Sequence, residues 1–545
     1  MTLSRTMRTV SFIAGFLLLP ATWAGQAAPG PRVHVWQRWE TTLSSSKSYE
    51  NPYADVEVRV TFTGSESETL LGRGFWDGAR TFKIRCAFPR TGVWTWRTTC
   101  SDTANAGLHN RTGSITVGPY TGDNPLYRHG FLKVSANRRH LAFADGKPFL
   151  WVGDTAWYGP MRARPEDWEE YLRVRTSQGF TVAQISPCRE KAGAADTAGN
   201  LPFSGPGLKK WNPPFWQSFE EKVQRANEKG LAILVVGLME PVGRYPQSGE
   251  AQVFARNLVA RLFGNFVIFS PSFDSAYSTL GDDVGQAVRE ATAVHLITQH
   301  PNTPSGRPVN VTAEAYYDRP YLDFSGDQSG HNGGNLDRCA RQAIEWNLHL
   351  YRREPPKPVI NIEAMYDSQG EKGWRAEDAR SLGYRSWLSG ALGYTYGCGE
   401  TGAKVPKAAG GVWGWNTDPN AFDYWAKAIH WPSAEQMKHL RDFFGAVEWW
   451  RLEPAHDLIL NQPEAAPRRM VLARSAAGDL AVAYLPDNDE ITLNLKSLSP
   501  KLTGNWFNPR TGEYAGIRGP IGNETSKTFS RPGPGDWVLL LHEVR

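Results

Sequence analysis

The period of hydrophobic and polar positions changes twice along the chain. In residues 31–122 it is close to two. Val33–Trp39, Val56–Thr63, Thr81–Phe88, Val93–Thr99 and Gly113–Val117 are short, β-rich runs separated by Gly, Pro, Asn and Ser. This predicts a small antiparallel domain of the Ig-like β-sandwich type. Residues 123–138 read as a linker. Arg139–Phe143 and Lys147–Trp151 then flank Ala144-Asp145-Gly146, a hairpin signal, placed as a lid over the bottom of the central domain.

From Phe149 to about Gly445, short apolar runs alternate with amphipathic helical segments. The predicted strands are Phe149–Gly153, Thr181–Ser186, Leu231–Leu238, Phe266–Ser270, His295–Thr298, Tyr321–Phe324, Pro358–Ile362 and Gly393–Tyr396. Val309–Ala313 competes for the fifth place. Helices are expected at Pro165–Gln178, Pro214–Lys229, Ala251–Phe263, Asp282–Ala293, Leu336–Arg352, Ala376–Ser389 and Ala434–Phe444. Eight such units in roughly 300 residues match a (β/α)8 TIM barrel spanning 139–450. The chain returns to short strands from Glu453, which predicts a C-terminal β-sandwich over 453–545. The expected fold is thus multidomain: a central barrel with a β-sandwich on each side.

Composition narrows the chemistry. The net charge of +5 over 545 residues, two units of it from Arg5 and Arg8, gives no footprint for nucleic acid or an anionic membrane. Arg5 and Arg8, the apolar run Val10–Pro20 and Thr22-Trp23-Ala24 read as a signal peptide over 1–24, predicting a secreted or periplasmic protein. No later run is long and apolar enough for a membrane helix. Five Cys make no framework; a Cys86–Cys100 bridge is open, and Cys188, Cys339 and Cys398 read as buried thiols. HExxH and a GxSxG elbow are absent, no GxGxxG follows the first predicted strand, and His300, His331 and Asp327 form only a weak metal candidate. No cofactor or metal is expected.

A barrel presents its chemistry where strands end. The acids, amides and aromatics there are Asp154, Trp157, Arg189, Glu190, Glu240, Asp274, His300, Asp327, Gln328, His331, Glu363, Tyr366, Tyr396 and Glu400. This set suits a neutral, hydroxyl-rich ligand, an oligo- or polysaccharide, better than phosphate. Glycoside hydrolysis needs two carboxyl groups flanking the scissile bond. Glu363, after strand seven, and Asp274, after strand four, face each other across the mouth and are the expected pair. Asp154 is their main rival, with Glu240, Glu190 and Glu314 behind it. Asp154, Trp157, His300, Gln328, His331, Tyr366 and Tyr396 are the expected substrate-binding residues.

The stretches Pro148–Trp157, His295–Pro301, Leu322–His331, Lys357–Tyr366 and Ser389–Gly397 resemble the apiosidase-like glycoside hydrolases. Phe75–Gly78 with the GVWTW segment resembles the β-sandwich often found before such barrels. Asn505–Tyr514 resembles the small sandwich after them, a type labelled collagen-binding. The resemblance implies a retaining-type barrel acting on plant or microbial glycans, with Glu363 as nucleophile and Asp274 as acid/base. In the family the fourth strand often ends in Gly-Asp; here the acid follows Ser272-Phe273. Alternatives are an endo-acting glucan- or mannan-type hydrolase using the same acids, and a non-catalytic glycan-binding protein.

Overall fold

The computed structural model describes residue 1 and residues 32–188, 195–240, 245–304, 307–330, 335–367, 375–399, 410–519, 521 and 524–543. The leader therefore lies outside the described residues, apart from Met1. Among them, no helix is long and apolar enough to cross a membrane.

The centre is a parallel sheet of seven strands in the order Val267–Ser270, Ala232–Val236, Val182–Ile185, Trp151–Thr155, Ala391–Tyr396, Val359–Glu363 and Ser325–Gln328. Six of the eight predicted strands recur within about two residues. The fifth is no strand of its own. Ile297 pairs in parallel with Phe269, and its carbonyl accepts from Asp323 N–H at 2.9 Å, so this segment bridges the two edges of the sheet. Its competitor Val309–Ala313 instead begins the helix Val311–Tyr317, whose N-cap Asn310 accepts from Thr312 and Ala313 N–H. The sixth is displaced: the strand is Ser325–Gln328, not Tyr321–Phe324. A Cβ at Gly326 would run into the Gln299 carbonyl, so the glycine lets this strand lie close against the segment that carries His300.

Alternation divides the sheet into two faces. Trp151, Val182, Leu234, Ile268, Phe324, Ile360 and Leu392 form an inner core; Val152, Ala183, Ile233, Val267 and Tyr394 pack outward with the helices. The helices Pro165–Ser177, Pro213–Glu228, Ser248–Leu262, Thr279–Ala291, Leu336–Tyr351, Ala376–Trp387 and Pro432–Ala446 cover that outer face. The predicted hairpin forms, but Leu141–Phe143 pairs with Leu132–Val134, inside the expected linker. Leu132, Leu141, Phe143 and Phe149 join the inner core and close its N-terminal end.

The N-terminal strands make one hydrogen-bonded series of seven, not two separate sheets. Its order is Arg32–His34, Thr112–Gly118, Gly92–Cys100, Val58–Thr63, Thr69–Trp76, Thr81–Ala87 and Arg38–Ser44. Thr69–Trp76, unpredicted, pairs with one neighbour through Arg73 and with the other from Gly74 onward. Both halves bury Trp39, Phe62, Ile84 and Trp94 in a common core. The C-terminal region is a six-stranded antiparallel sheet with a two-stranded ladder, Glu490–Asn494 and Ser526–Ser530, packed through Ile491, Leu493 and Phe529. All five Cys are free and buried, so Cys86 and Cys100 are not bridged.

Buried ion pairs pin both flanking regions to the centre. Glu220 of the Pro213–Glu228 helix accepts from Arg85 at 2.8 Å and from Arg261 at 3.1 Å, and Arg261 reaches Asp77 at 3.0 Å. The Phe75 ring lies under both guanidinium groups, 4.8 and 4.6 Å from their centres. At the other end Arg380 forks onto Asp536 at 2.7 and 2.8 Å.

Burial opposes the charge of Glu220, yet Arg261 and Arg85 hold its carboxyl down at about 2. Its ionised form therefore stabilises the fold above its ordinary value of 4.5, and that contribution is lost as pH falls towards 2. Glu220→Gln removes the carboxylate shared by two buried guanidinium groups, leaving Arg261 with Asp77 and Arg85 with Glu40, and is expected to cost roughly 3 kcal/mol at neutral pH. Urea unfolding reads this as a lower midpoint, with the gap to wild type closing as pH approaches 2.

Candidate active site

The strand Val359–Glu363 carries a bulge that decides where Glu363 points. Asp327 sits opposite Asn361, but Gln328 sits opposite Glu363, so Ile362 is the extra residue. Ile360 and Ile362 face the inner core. Simple alternation would turn Glu363 outward; the bulge resets the phase and sets it against inward-facing Gln328.

Glu363 is 2% exposed and accepts hydrogen bonds on both oxygens. Gln328 Nε2 donates to Oε2 at 2.7 Å and the Tyr366 hydroxyl donates to Oε1. His300 Nε2 lies 3.3 Å from Oε2. Asp274 N–H donates to His300 Nδ1 at 3.1 Å, so Nδ1 keeps its lone pair and the ring hydrogen lies on Nε2, towards the carboxylate. The His300 amide in turn donates to Ser272 Oγ at 2.9 Å.

Aromatic rings fix these groups. Trp157 Nε1 donates to the Tyr366 hydroxyl at 3.0 Å, and its ring packs on Phe273 at 4.4 Å and His300 at 5.4 Å. A Cβ at Gly397 would run into the Tyr366 ring, so the glycine of the last strand's GYTYG leaves room for the residue that holds Glu363. Burial pushes the Tyr366 hydroxyl well above its usual 10, and the charges of Glu363 and, more weakly, Asp274 add to this. It stays a proton donor to Glu363.

Asp274 is exposed, with φ of 48°. Asp tolerates the left-handed region better than most residues. The turn aims its amide at His300 and leaves its carboxyl in the mouth, near enough to bear on Tyr366.

Trp413 was not singled out from the sequence. It is half-buried in a single π-turn, Gly411–Trp415, with its ring 6.1 Å from Tyr366 and 6.3 Å from Tyr158. Buried Asp423 anchors the turn by accepting from Gly411 N–H at 2.8 Å. The signal was the Trp-dense GVWGW after the last strand. Gln328 Oε1 and Trp413 Nε1 are buried with no hydrogen-bond partner among the described residues. Both fit a ligand rich in hydroxyls.

Thus Glu363, Asp274, Trp157, His300, Gln328 and Tyr366 come together. Two expected residues do not. Asp154 lies on the outer face, where Arg175 Nε donates at 2.7 Å and Tyr171 at 2.9 Å. Tyr396 also points outward, hydrogen-bonded to Ser433 at 2.6 Å with Arg175 over its ring. Alternation from inward-facing Trp151 accounts for Asp154; Tyr396 shares the outward phase of Tyr394, which an extra residue sets, since Ala391 pairs with Val359 but Tyr394 with Asn361. Glu314 is turned away on a helix, paired with His349 at 2.8 Å. Glu240 is buried. His331, Arg189, Glu190 and Glu400 lie outside the described residues. Among the described residues, no group of three His, Cys, Asp or Glu is placed to hold a metal ion.

Comparison with known proteins assigns the class. The model of the apiosidase-like catalytic domain matches residues 135–451, more than half of the chain. The chain therefore belongs to the apiosidase-like family, and is a glycosidase. A domain of unknown function (DUF5060) matches 32–101, and a model described as a collagenase's collagen-binding domain matches 454–542. Among solved structures, a glycoside hydrolase is 20% identical, covering 78% of this chain and 99% of its own, with a TM-score of 0.66. A glycoside hydrolase family 5 structure from Bacteroides vulgatus ATCC 8482 is 20% identical over 76% of this chain and 93% of its own, TM-score 0.65. These likenesses define the fold. No curated protein matches the chain.

The outward placement of Asp154 has a testable consequence. Asp154→Asn leaves Arg175 buried without its carboxylate and is expected to lower stability by roughly 3–5 kcal/mol. Oligosaccharide affinity per folded molecule should be unchanged, as isothermal titration would show. A variant of full stability and lost affinity would return Asp154 to the site.

Proposed function

We propose that the protein is an exported retaining glycoside hydrolase of plant or microbial polysaccharide, with Glu363 as nucleophile and Asp274 as acid/base. The observation that carries this reading is the setting of Glu363. It stands at a strand end on the inner face, both oxygens accepting hydrogen bonds from Gln328 and Tyr366. A carboxylate positioned as an acceptor suits attack on an anomeric carbon. Asp274, at the exposed mouth, suits a group that must exchange protons with solvent.

In the first step Asp274 gives its proton to the leaving oxygen as a Glu363 oxygen bonds to the anomeric carbon. In the second, Asp274 takes a proton from water, which displaces Glu363. Trp413, Trp157 and Gln328 line the sugar, the rings covering its faces and the Gln328 amide oxygen meeting a hydroxyl. His300 supports Glu363 by holding its Nε2 close to the carboxylate.

The fold belonging to this reading is a closed (β/α)8 barrel between two β-sandwiches, with the domains 31–122, 139–450 and 453–545. The bridge made by Ile297 supports closure. The matched ranges 32–101, 135–451 and 454–542 support the division. Export rests on the leader pattern in residues 1–24.

The test is a screen of plant cell-wall and bacterial polysaccharides for released sugar. Glu363→Gln is expected to lose roughly 1,000-fold or more in turnover and Asp274→Asn somewhat less, both still folded. Equal release by wild type and Glu363→Gln would sink the assignment. An extended binding profile with no release by wild type would favour a glycan-binding protein.

A further inference from the structure

Two routes join the strand end that carries Glu363 to the turn that carries Asp274. The inner one is His300, which lies against Glu363 and accepts from Asp274 N–H. The outer one starts one residue before Gln328. Asp327 is fully buried, and its Oδ1 accepts from Gln328 N–H at 2.8 Å and from Asn310 Nδ2 at 3.1 Å. The same Asn310 amide donates to the Asn302 carbonyl at 3.2 Å. Asn302 N–H then donates to the Ser275 carbonyl at 3.2 Å, next to Asp274. Asn310 is itself fixed by its Oδ1, which caps the helix Val311–Tyr317 by accepting from Thr312 and Ala313 N–H.

Asp327 takes no part in the two steps of hydrolysis, yet it is unfavourable to bury. Its Oδ2 has no hydrogen-bond partner among the described residues. The ionisable groups on the elements around it are engaged elsewhere. Glu314 pairs with His349 and Arg353, Asp337 with Arg341, and Glu345 with Arg469. His300 and Glu363 face each other, Arg338 opens onto a surface recess, and Cys339 is a buried thiol. Only the two hydrogen bonds to Oδ1 oppose the burial, which pushes the carboxyl up to about 7. An apolar residue would fill the same space without an orphaned oxygen. What it could not supply is one acceptor that meets Gln328 and Asn310 together.

We propose that Asp327 is a positioning residue for the hydrolysis: with Asn310 it ties the strand end beneath Glu363 to the Asp274 turn, so that both carboxyl groups keep their places about the scissile bond. The tie rests on Glu363 and Asp274 being the acting pair. Below neutral pH it is made by the uncharged acid, with Oδ1 accepting and the proton on Oδ2.

The test measures kcat, KM and the thermal unfolding midpoint of the full-length protein from about pH 5 to about pH 9, with Glu363→Gln alongside. Asp327→Leu and Asn310→Ser both break the tie, and serine still caps the helix. Each is expected to lower kcat roughly tenfold to a hundredfold with KM little changed, Asn310→Ser at close to the wild-type midpoint. Asp327→Asn keeps the acceptor and should restore most of the kcat that Asp327→Leu loses. The folded carboxyl holds its proton up to about 7, against an ordinary value of 3.8, so this group lowers wild-type stability as pH rises between the two. Asp327→Asn should lack that fall and should have the higher midpoint at about pH 8. Wild-type kcat in either tie-breaking variant once folded, no rescue by Asp327→Asn, or one shared pH dependence of the midpoint would overturn the proposal. No release by wild type, or release that survives Glu363→Gln, is the separate failure of the acting pair, and the proposal falls with it.

Discussion

A carboxylate buried in the mouth of a parallel sheet needs donors, and much of this protein's central sequence serves to supply them to Glu363. Gln328 comes from the neighbouring strand and Tyr366 from the turn three residues on, while His300, from the segment that bridges the sheet's edges, brings its Nε2 within 3.3 Å of the carboxylate. Each is fixed by something further out. Trp157 holds the Tyr366 hydroxyl, Gly397 makes room for its ring, and Asp274 N–H fixes which nitrogen of His300 keeps its lone pair. Removing any of these leaves a polar atom buried without its match, which costs more than a surface hydrogen bond is worth.

The same logic of compensated burial joins the three regions of the chain. Arg85, Arg261 and Glu220 on one side, and Arg380 with Asp536 on the other, are buried charges that make sense only as pairs. The flanking β regions are therefore docked by specific polar contacts as well as by apolar area. Trp and Tyr are abundant here largely for packing: Trp168, Trp415 and Trp425 wedge the π-turn, and Trp387 stacks on Phe444 beneath the C-terminal sheet. Trp157 and Trp413 stand apart because they reach the groups around Glu363.

The alternating architecture was legible because parallel strands buried on both faces read as apolar runs, and the covering helices as amphipathic ones. Ser325–Gln328 broke that rule: its residues are small or polar, and its burial follows from its neighbours rather than its own hydrophobicity. Glu363 and Asp274 were legible as strand-end acids. What aims Glu363 was not, since a one-residue bulge in Val359–Glu363 has no mark in the sequence. Asp154 shows the opposite failure. It ends a strand, as a site acid should, but shares its outward phase with Val152, and that alternation was readable. Trp413 was missed because it lies in a loop with no period to follow.

The central claim is that Glu363 attacks the sugar. The most direct measurement is to inactivate the enzyme with a 2-fluoro glycoside of the sugar that it releases, digest it, and locate the adduct by mass spectrometry. The account predicts one label, on Glu363, in the peptide containing NIEAMY. A label on Asp274, Glu240 or Asp327, or inactivation with no covalent adduct on any carboxylate, would contradict it.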